Sequence, residues 1–476
     1  MQKLEFTNKK ILVMGLGLNG GGVGSAKFFA RCGARVTVTD IKTRQQLASS
    51  LKQLAQYRIR YVLGKHQEKD FETADLVIQN PAVPDDSRFL NIARKHNVPI
   101  ATDIAIFFQY CTAPILGVTG TKGKTTTAGL IGQMLKAWDK KTVVAGNLRV
   151  SPLDFLPKLL AIKHRQPWVV LELSSFQLEG LQKIQRSPKI AVVTNIYEDH
   201  LNRYISMKKY MKAKQSIVAF QKNDDAMILN ADNAHARAFA KISPATLQWF
   251  SIKKLQASSI GVWVENGWIV YRATKQQARP KAIIAASDLP WSASHLLSDT
   301  CAAIATVITA GVPLNQIVVC LQKARLPEAR MQTIATVKGV RCINDTTATI
   351  PSATIATLQS FGKDTHIILI AGGVDKSVSY TTLVAQIQKK CKAVVLLHTG
   401  KRETASVLIK TLLSKKNYAP IESADTMEDA VIKAFGYASY GDVILLSPSA
   451  ASFGMFEHEF DRGEQFERAV KNIKKQ

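Results

Sequence analysis

The chain has 476 residues and a formal net charge of +27, with hydrophobic residues at 46%. That is enough apolar material for the cores of two or three domains. The six cysteines, Cys32, Cys111, Cys301, Cys320, Cys342 and Cys391, form no CxxC pair, as expected of scattered reduced thiols in a cytoplasmic protein. Lys and Arg are dispersed. The densest runs, Lys208-Lys209, Lys389-Lys390 and Lys474-Lys475, are short and not interleaved with aromatics. A nucleic-acid groove is therefore not expected, and the charge reads as a solvated basic surface. The apolar run Ile11-Leu12-Val13-Met14 is broken at once by glycines. It is too short to span a membrane and reads as a first buried strand.

Residues 1–110 alternate strand and helix signals. The strand Lys10–Met14 runs into Gly15-Leu16-Gly17-Leu18-Asn19-Gly20, a helix follows, and a second strand, Arg35–Thr39, ends in Asp40. This is a G-x-G-x-x-G pattern with an acid near the place of a ribose contact. It predicts a diphosphate on a helix N-terminus without specifying NAD. A third strand, Ala74–Gln79, delivers Asn80-Pro81-Ala82 at its tip.

Residues 111–324 hold the most informative stretch, Gly117-Val118-Thr119-Gly120-Thr121-Lys122-Gly123-Lys124-Thr125-Thr126. An apolar strand leads in and a helix leads out. Glycines there let consecutive N–H groups face phosphate oxygens. Lys124 would reach the terminal phosphates and Thr125 would hold Mg²⁺. Only two residues separate Gly120 from Gly123, where the common pattern has four. Further strands end in Gly146-Asn147, in Glu172, and in Asn195 before Glu198-Asp199-His200. Carboxylates at strand tips beside a phosphate loop predict a metal–nucleotide site. Gly261 to Tyr271 reads as a hairpin with Asn266-Gly267 as its turn and packing tryptophans. His295 opens a helix and is read either as a nucleotide contact or as a cap.

Residues 325–476 return to strand–helix alternation. Three strands end in Asn344-Asp345-Thr346-Thr347, Gly372-Gly373-Val374-Asp375-Lys376 and Ser447-Pro448-Ser449-Ala450-Ala451-Ser452. Such turns on one edge of a parallel sheet make a ligand-binding rim.

Together these motifs resemble the Mur ligases, ATP-dependent amide-bond ligases that build the peptidoglycan stem peptide. The likeness covers nearly the whole chain. The shortened loop at 117–126 is similar to the family's own, with Lys122 where Asn is more usual. Leu171 to Glu179, Leu446 to Phe456 and Phe460-Asp461-Arg462-Gly463 resemble the branch that adds D-glutamate to UDP-N-acetylmuramoyl-L-alanine. The resemblance implies an α/β fold of three domains: a Rossmann-like N-terminal domain for the UDP-sugar (1–110), a central phosphate-loop ATPase domain with a parallel sheet (111–324), and a Rossmann-like C-terminal domain for the amino acid (325–476).

The resemblance also implies roles. Gly120, Thr121, Lys122, Gly123, Lys124, Thr125 and Thr126 would bind ATP, with His295, Arg330 and Asp345 on the nucleotide. Thr125, Glu172, His200 and a carbamylated Lys214 would hold two Mg²⁺ ions, and Lys124, Glu172, His200 and Lys214 would be catalytic. Leu18, Asn19 and Asp40 would lie near uridine, and Asn80, Pro81 and Ala82 near the diphosphate. Asn147 would contact the sugar-peptide, and Thr349, Lys376, Ser452 and Phe460 the glutamate. A monomeric cytoplasmic enzyme is expected. Departures fall at Leu296, Asp299, Thr347, Ala329 and Gly454, and they touch binding more than chemistry. A related ligase for L-glutamate or another amino acid, and a non-catalytic nucleotide-binding homologue, stay open at this stage.

Overall fold

Five short parallel strands form the first sheet of the computed structural model, which describes residues 5–475 apart from 19, 148–149, 292, 363, 399–403 and 453. They are β1 (Lys10–Met14), β2 (Arg35–Asp40), β3 (Ile59–Leu63), β4 (Leu76–Gln79) and β5 (Ile100–Ala101), in the order β3-β2-β1-β4-β5. The order reverses beside β1, which puts the glycine turn and the Asn80 turn on the same C-terminal edge. Strand β3 has no counterpart among the sequence expectations. It lies at the sheet edge, and Arg60 and partial exposure break its apolar run.

The second sheet has nine strands. In chain order they are β6 (Ile115–Thr119), β7 (Val143–Gly146), β8 (Val169–Glu172), β9 (Ile190–Val193), β10 (Ala226–Asn230), β11 (Thr246–Ser251), β12 (Gly261–Glu265), β13 (Trp268–Arg272) and β14 (Lys281–Ala285). Their spatial order is β14-β13-β12-β11-β10-β9-β6-β8-β7. Strands β6, β8, β9 and β10 are buried at every residue, as both-face burial of a parallel sheet requires. The chain crosses from β8 to β9 on the other side of β6, so the phosphate loop leaves the sheet at a switch point.

The predicted hairpin is present. β12 and β13 pair antiparallel, with Glu265 opposite Trp268, and Asn266 and Gly267 both take positive φ, 50° and 77°. That is the backbone a two-residue primed turn needs. Of its tryptophans, Trp263 is fully buried, but Trp268 is 46% exposed and is no core residue. The last strand, β14, follows Pro280, begins with Lys281, and carries a register shift against β13.

These two sheets share one apolar core. It runs from Phe6, Phe28 and Phe29 through Ile104 and Phe107 to Leu153, Leu171 and Tyr210. The residues up to Pro290, with Ser298–Ala324, accordingly form one unit.

The second unit comprises Trp291–Leu297 and Arg325 onward. Its sheet contains β15 (Gln332–Val337), β16 (Val340–Asn344), β17 (Ile367–Ala371), β18 (Cys391–Leu397), β19 (Ile421–Ala424) and β20 (Val443–Leu446), ordered β15-β16-β20-β17-β18-β19. Only β15 runs antiparallel to its neighbour. β16, β17 and β20 are adjacent and parallel, so the three predicted turns do share one edge. Apolar clusters cover both faces of this sheet. Among the described residues, no helix is long and apolar enough to cross a membrane.

Candidate functional site

In the first unit, the tip of β6 is gripped from β9. Thr121 N–H donates to the Asn195 carbonyl at 2.8 Å, and Lys122 N–H donates to the Asn195 side-chain oxygen at 2.9 Å. Thr194 Oγ1 and Asn195 Nδ2 donate back to the Lys122 carbonyl at 2.5 and 3.1 Å. Gly120 sits so tightly here that a Cβ would collide with the Thr194 hydroxyl. Gly123 caps the helix Lys124–Trp138 in the left-handed region at φ 81°. A Cβ there would run into the Asp299 carboxylate. Both glycines are therefore required by space as well as by φ.

Two lysines converge on this loop. Lys124 Nζ donates to the carbonyls of Gly120 and Thr121 at 3.0 and 3.1 Å. Lys214 Nζ donates to the same Gly120 carbonyl at 2.9 Å and to Thr119 Oγ1 at 3.4 Å. Lys214 is only 1% exposed. Burial, and then the neighbouring Lys124 charge, push its amine well below the usual lysine range, against Asp199 and Glu172. The Tyr210 ring lies 4.9 Å beneath its nitrogen, and the Tyr210 hydroxyl meets Thr121 Oγ1 at 3.2 Å. Tyr210 went unrecognised in the sequence. Its position four residues before Lys214 on one helix, Met207–Gln215, was the available signal.

Glu172 ends β8 at 2% exposure. One of its oxygens accepts from Asn147 Nδ2 at 2.9 Å. The other is buried with no hydrogen-bond partner among the described residues. A buried anionic oxygen in that state costs free energy unless a cation meets it. His200, at φ 54°, has its N–H on Asp199 Oδ1 at 3.0 Å. Its ring lies 5.0 Å from that of Phe176. Among the described residues, no three His, Cys, Asp or Glu side chains converge as a ready-made metal cage.

At the first sheet, the Asp40 carboxylate accepts from the backbone N–H of Gly17 (3.1 Å) and of Lys42 (2.9 Å). Asn80 Nδ2 donates to the Gly15 carbonyl at 3.0 Å, and Asn80 Oδ1 accepts from Ala82 N–H at 3.0 Å. Both residues hold the glycine turn in shape, and Leu18 packs half-buried against the core. Asn19 lies outside the described residues. Asp103 is buried beside Gly21, at the start of the helix after this turn. Burial raises its carboxyl to about 6.

In the second unit, three expected nucleotide residues gather. The Arg330 charge acts on both His295 and Asp345. Burial and Arg330 lower His295 to about 4, so its ring is neutral at pH 7. The Asp345 carboxylate points inward and accepts from Thr357 Oγ1 (2.7 Å) and Ser447 Oγ (3.0 Å). Lys376 Nζ donates to Thr349 Oγ1 at 3.4 Å, which unites two of the expected glutamate residues. Thr347 donates to the Ala329 carbonyl at 3.1 Å. Ser452 is buried, and Phe460 is half-buried at the start of the helix Glu459–Lys475.

The brace of this rim is Arg462, which is fully buried. Its guanidinium donates to Thr346 Oγ1 (3.0 Å), the Thr346 carbonyl (2.8 Å) and the Ala450 carbonyl (3.2 Å). Its structural role was not legible from the sequence, where it was only part of a motif.

Three family models match the chain: the Mur ligase MurD-like N-terminal domain over residues 9–102, the Mur ligase middle domain over 118–307, and the Mur ligase glutamate ligase domain over 329–450. The UDP-N-acetylmuramoylalanine–D-glutamate ligase of Roseiflexus sp. (strain RS-1) is 42% identical, covering 99% of this chain and 100% of its own. The protein of the same name from Geotalea uraniireducens (strain Rf4) is 36% identical, covering 99% of each. Among solved structures, the UDP-N-acetylmuramate-alanine ligase MurC of Thermotoga maritima superposes with a TM-score of 0.63 at 19% identity, covering 98% of this chain and 100% of that one. A pseudomurein peptide ligase type C from Methanothermus fervidus gives 0.59 at 17%, with the same coverage. Those two likenesses establish the fold.

Proposed function

The chain belongs to the Mur ligase family, and from that premise we propose that it joins D-glutamate to UDP-N-acetylmuramoyl-L-alanine, with ATP, in peptidoglycan precursor synthesis. The observation that carries the reading is the pair Lys124 and Lys214 on one carbonyl of a glycine loop, beside a buried carboxylate oxygen of Glu172 with no hydrogen-bond partner among the described residues. Such a cluster suits phosphate and a divalent cation better than any apolar or neutral ligand.

A carboxylate is a poor electrophile. Transfer of the γ-phosphoryl group to the terminal carboxylate of the alanine gives an acyl phosphate and ADP. The glutamate amine then attacks the acyl carbon, the tetrahedral intermediate expels phosphate, and an amide remains. Positioning and charge neutralisation do most of this work. The N–H groups of Thr121 and Lys122 are given to Asn195, so those of Gly123 to Thr126, at the start of the helix, would hold the phosphates, and Lys124 neutralises charge as it shifts.

Bound Mg²⁺ would supply stabilisation of the phosphate charge. Thr125, Glu172, His200 and Lys214 would hold two such ions. The sparse protein donor set fits a cation that keeps much of its shell for phosphate and water. Burial lowers the Lys214 amine and so favours its neutral form, the form that adds to CO₂ and gives up a proton to become a carbamate. A carbamate there would place an anion that faces Lys124.

Leu18 and Asp40 are assigned to uridine, and Asn80, Pro81 and Ala82 to the diphosphate. Asn147 is assigned to the sugar-peptide. Thr349, Lys376, Ser452 and Phe460 are assigned to glutamate, and His295, Arg330 and Asp345 to the nucleotide. Six free thiols suit the reducing cytoplasm, where we place the reaction.

The test is phosphate release from Mg-ATP with UDP-N-acetylmuramoyl-L-alanine and either glutamate enantiomer. Release with the D form is expected. Release with neither form refutes the ligase, and release with the L form alone moves it to a different ligase.

A further inference from the structure

Arg203 lies in the short helix Leu201–Tyr204, directly after His200, and touches two regions far apart in sequence. Its Nη1 donates to the Pro81 carbonyl at 3.0 Å, in the turn at the edge of the first sheet. Its Nη2 donates to Glu179 Oε2 at 3.1 Å, on the helix Ser175–Lys183. Its guanidinium lies over the Phe176 ring, 4.2 Å from the centroid. The same ring is 5.0 Å from that of His200 and stacks on Tyr204 at 5.9 Å. The side chain is 24% exposed and forms one wall of a cleft of about 870 Å³ with Pro81, Phe176, Glu179 and Tyr204.

We propose that Arg203 is a positioning residue that ties the Asn80–Ala82 turn to His200, so that the UDP-linked substrate and Mg-ATP reinforce each other's binding. The inference rests on the functional reading above. His200 holds a left-handed backbone conformation that a non-glycine residue keeps only when its surroundings impose it. Phe176 is one such neighbour, and Arg203 fixes the plane of Phe176. A shift of the Pro81 carbonyl on diphosphate binding moves the guanidinium, and the ring beneath it, as one rigid stack. Only arginine can do this. Its planar fork serves two diverging acceptors while its face stays on an aromatic ring, whereas a lysine ammonium is a single point. By linkage, what one ligand does to the other is returned in equal measure.

Calorimetric binding to the full chain tests this. UDP-N-acetylmuramoyl-L-alanine is titrated with and without saturating Mg²⁺ and a non-hydrolysable ATP analogue. The wild type is expected to bind the UDP-linked substrate about tenfold more tightly with the nucleotide present, within the usual range of coupling between sites. In R203K the factor falls below about twofold, while each ligand alone still binds. Glu179→Gln, which weakens the same fork from its other end, gives an intermediate factor and serves if R203K does not fold. Full coupling in both variants, or binding without coupling in the wild type, overturns this inference alone. A wild-type chain that binds no UDP-linked substrate overturns the functional reading and this inference with it.

Discussion

The phosphate loop of the first unit and the turn-lined rim of the second are built on opposite electrostatic plans. At the loop, like charges are brought close together. Two lysines share a carbonyl, and Glu172 keeps a buried oxygen without a hydrogen-bond partner among the described residues. At the rim, polar groups satisfy one another. Asp345 is held by Thr357 and Ser447, and Arg462 by Thr346 and Ala450. Unmatched buried charge is costly, so it marks where a ligand completes the structure. Matched buried charge, as at Arg462, stabilises the rim, and the Asp345 carboxylate is held in a fixed orientation by its two hydroxyl donors.

The contrast is sharpest in two substitutions that should fail in opposite ways. Lys124→Ala is expected to lower phosphate release by about 10³-fold while leaving the denaturant midpoint close to the wild type. Activity within tenfold of the wild type would break the assignment of the loop. Arg462→Met should show the reverse, losing about 3 kcal/mol of stability as the Thr346 and Ala450 oxygens lose their buried donor. Urea titration reads that loss, and phosphate release measured well below the transition should fall far less than in Lys124→Ala. A stable Arg462→Met would remove the distinction between loop and rim.

A smaller effect tests which plan the first glycine turn follows. Burial raises the folded-state carboxyl of Asp103 from 3.8 to about 6. The folded state therefore binds that proton more tightly than the unfolded chain. The associated stability is fully present below about pH 4 and is lost as pH rises through about 6. Asp103→Asn keeps an oxygen for the Ile104 N–H, which now donates to Asp103 at 2.8 Å, but carries no charge. Thermal melts should show the variant more stable by about 2 kcal/mol at pH 8, and equal to the wild type near pH 4. Equal stability at both pH values would show that the ionised carboxylate is already compensated.

Much of this was legible in the sequence, for identifiable reasons. Continuous apolar runs closed by glycine or polar turns gave β1, β6, β8, β9 and β20, and the Asn266-Gly267 dipeptide gave the hairpin turn. The edge strands β3 and β19 escaped because most of their residues are only partly buried and neither carries a continuous apolar signal. Lys124, Lys214 and Glu172 were singled out by motif, and their convergence is visible only in three dimensions. Thr194 with Lys122, Arg462 with Thr346 and Arg203 with Pro81 each join residues more than 70 positions apart. No local pattern encodes such contacts, since each needs the register of strands brought together by the whole fold.

A nine-stranded sheet is also a template on which another chain could add a strand. The β14 end is blunted: Pro280 offers no N–H, Lys281 would place an ammonium against any incoming backbone, and the register shift against β13 bends the ladder out of line. At the opposite end, Gly146 is already bridged by Val150. The margin at β14 thus hinders the addition of a strand, and the other margin is covered at Gly146.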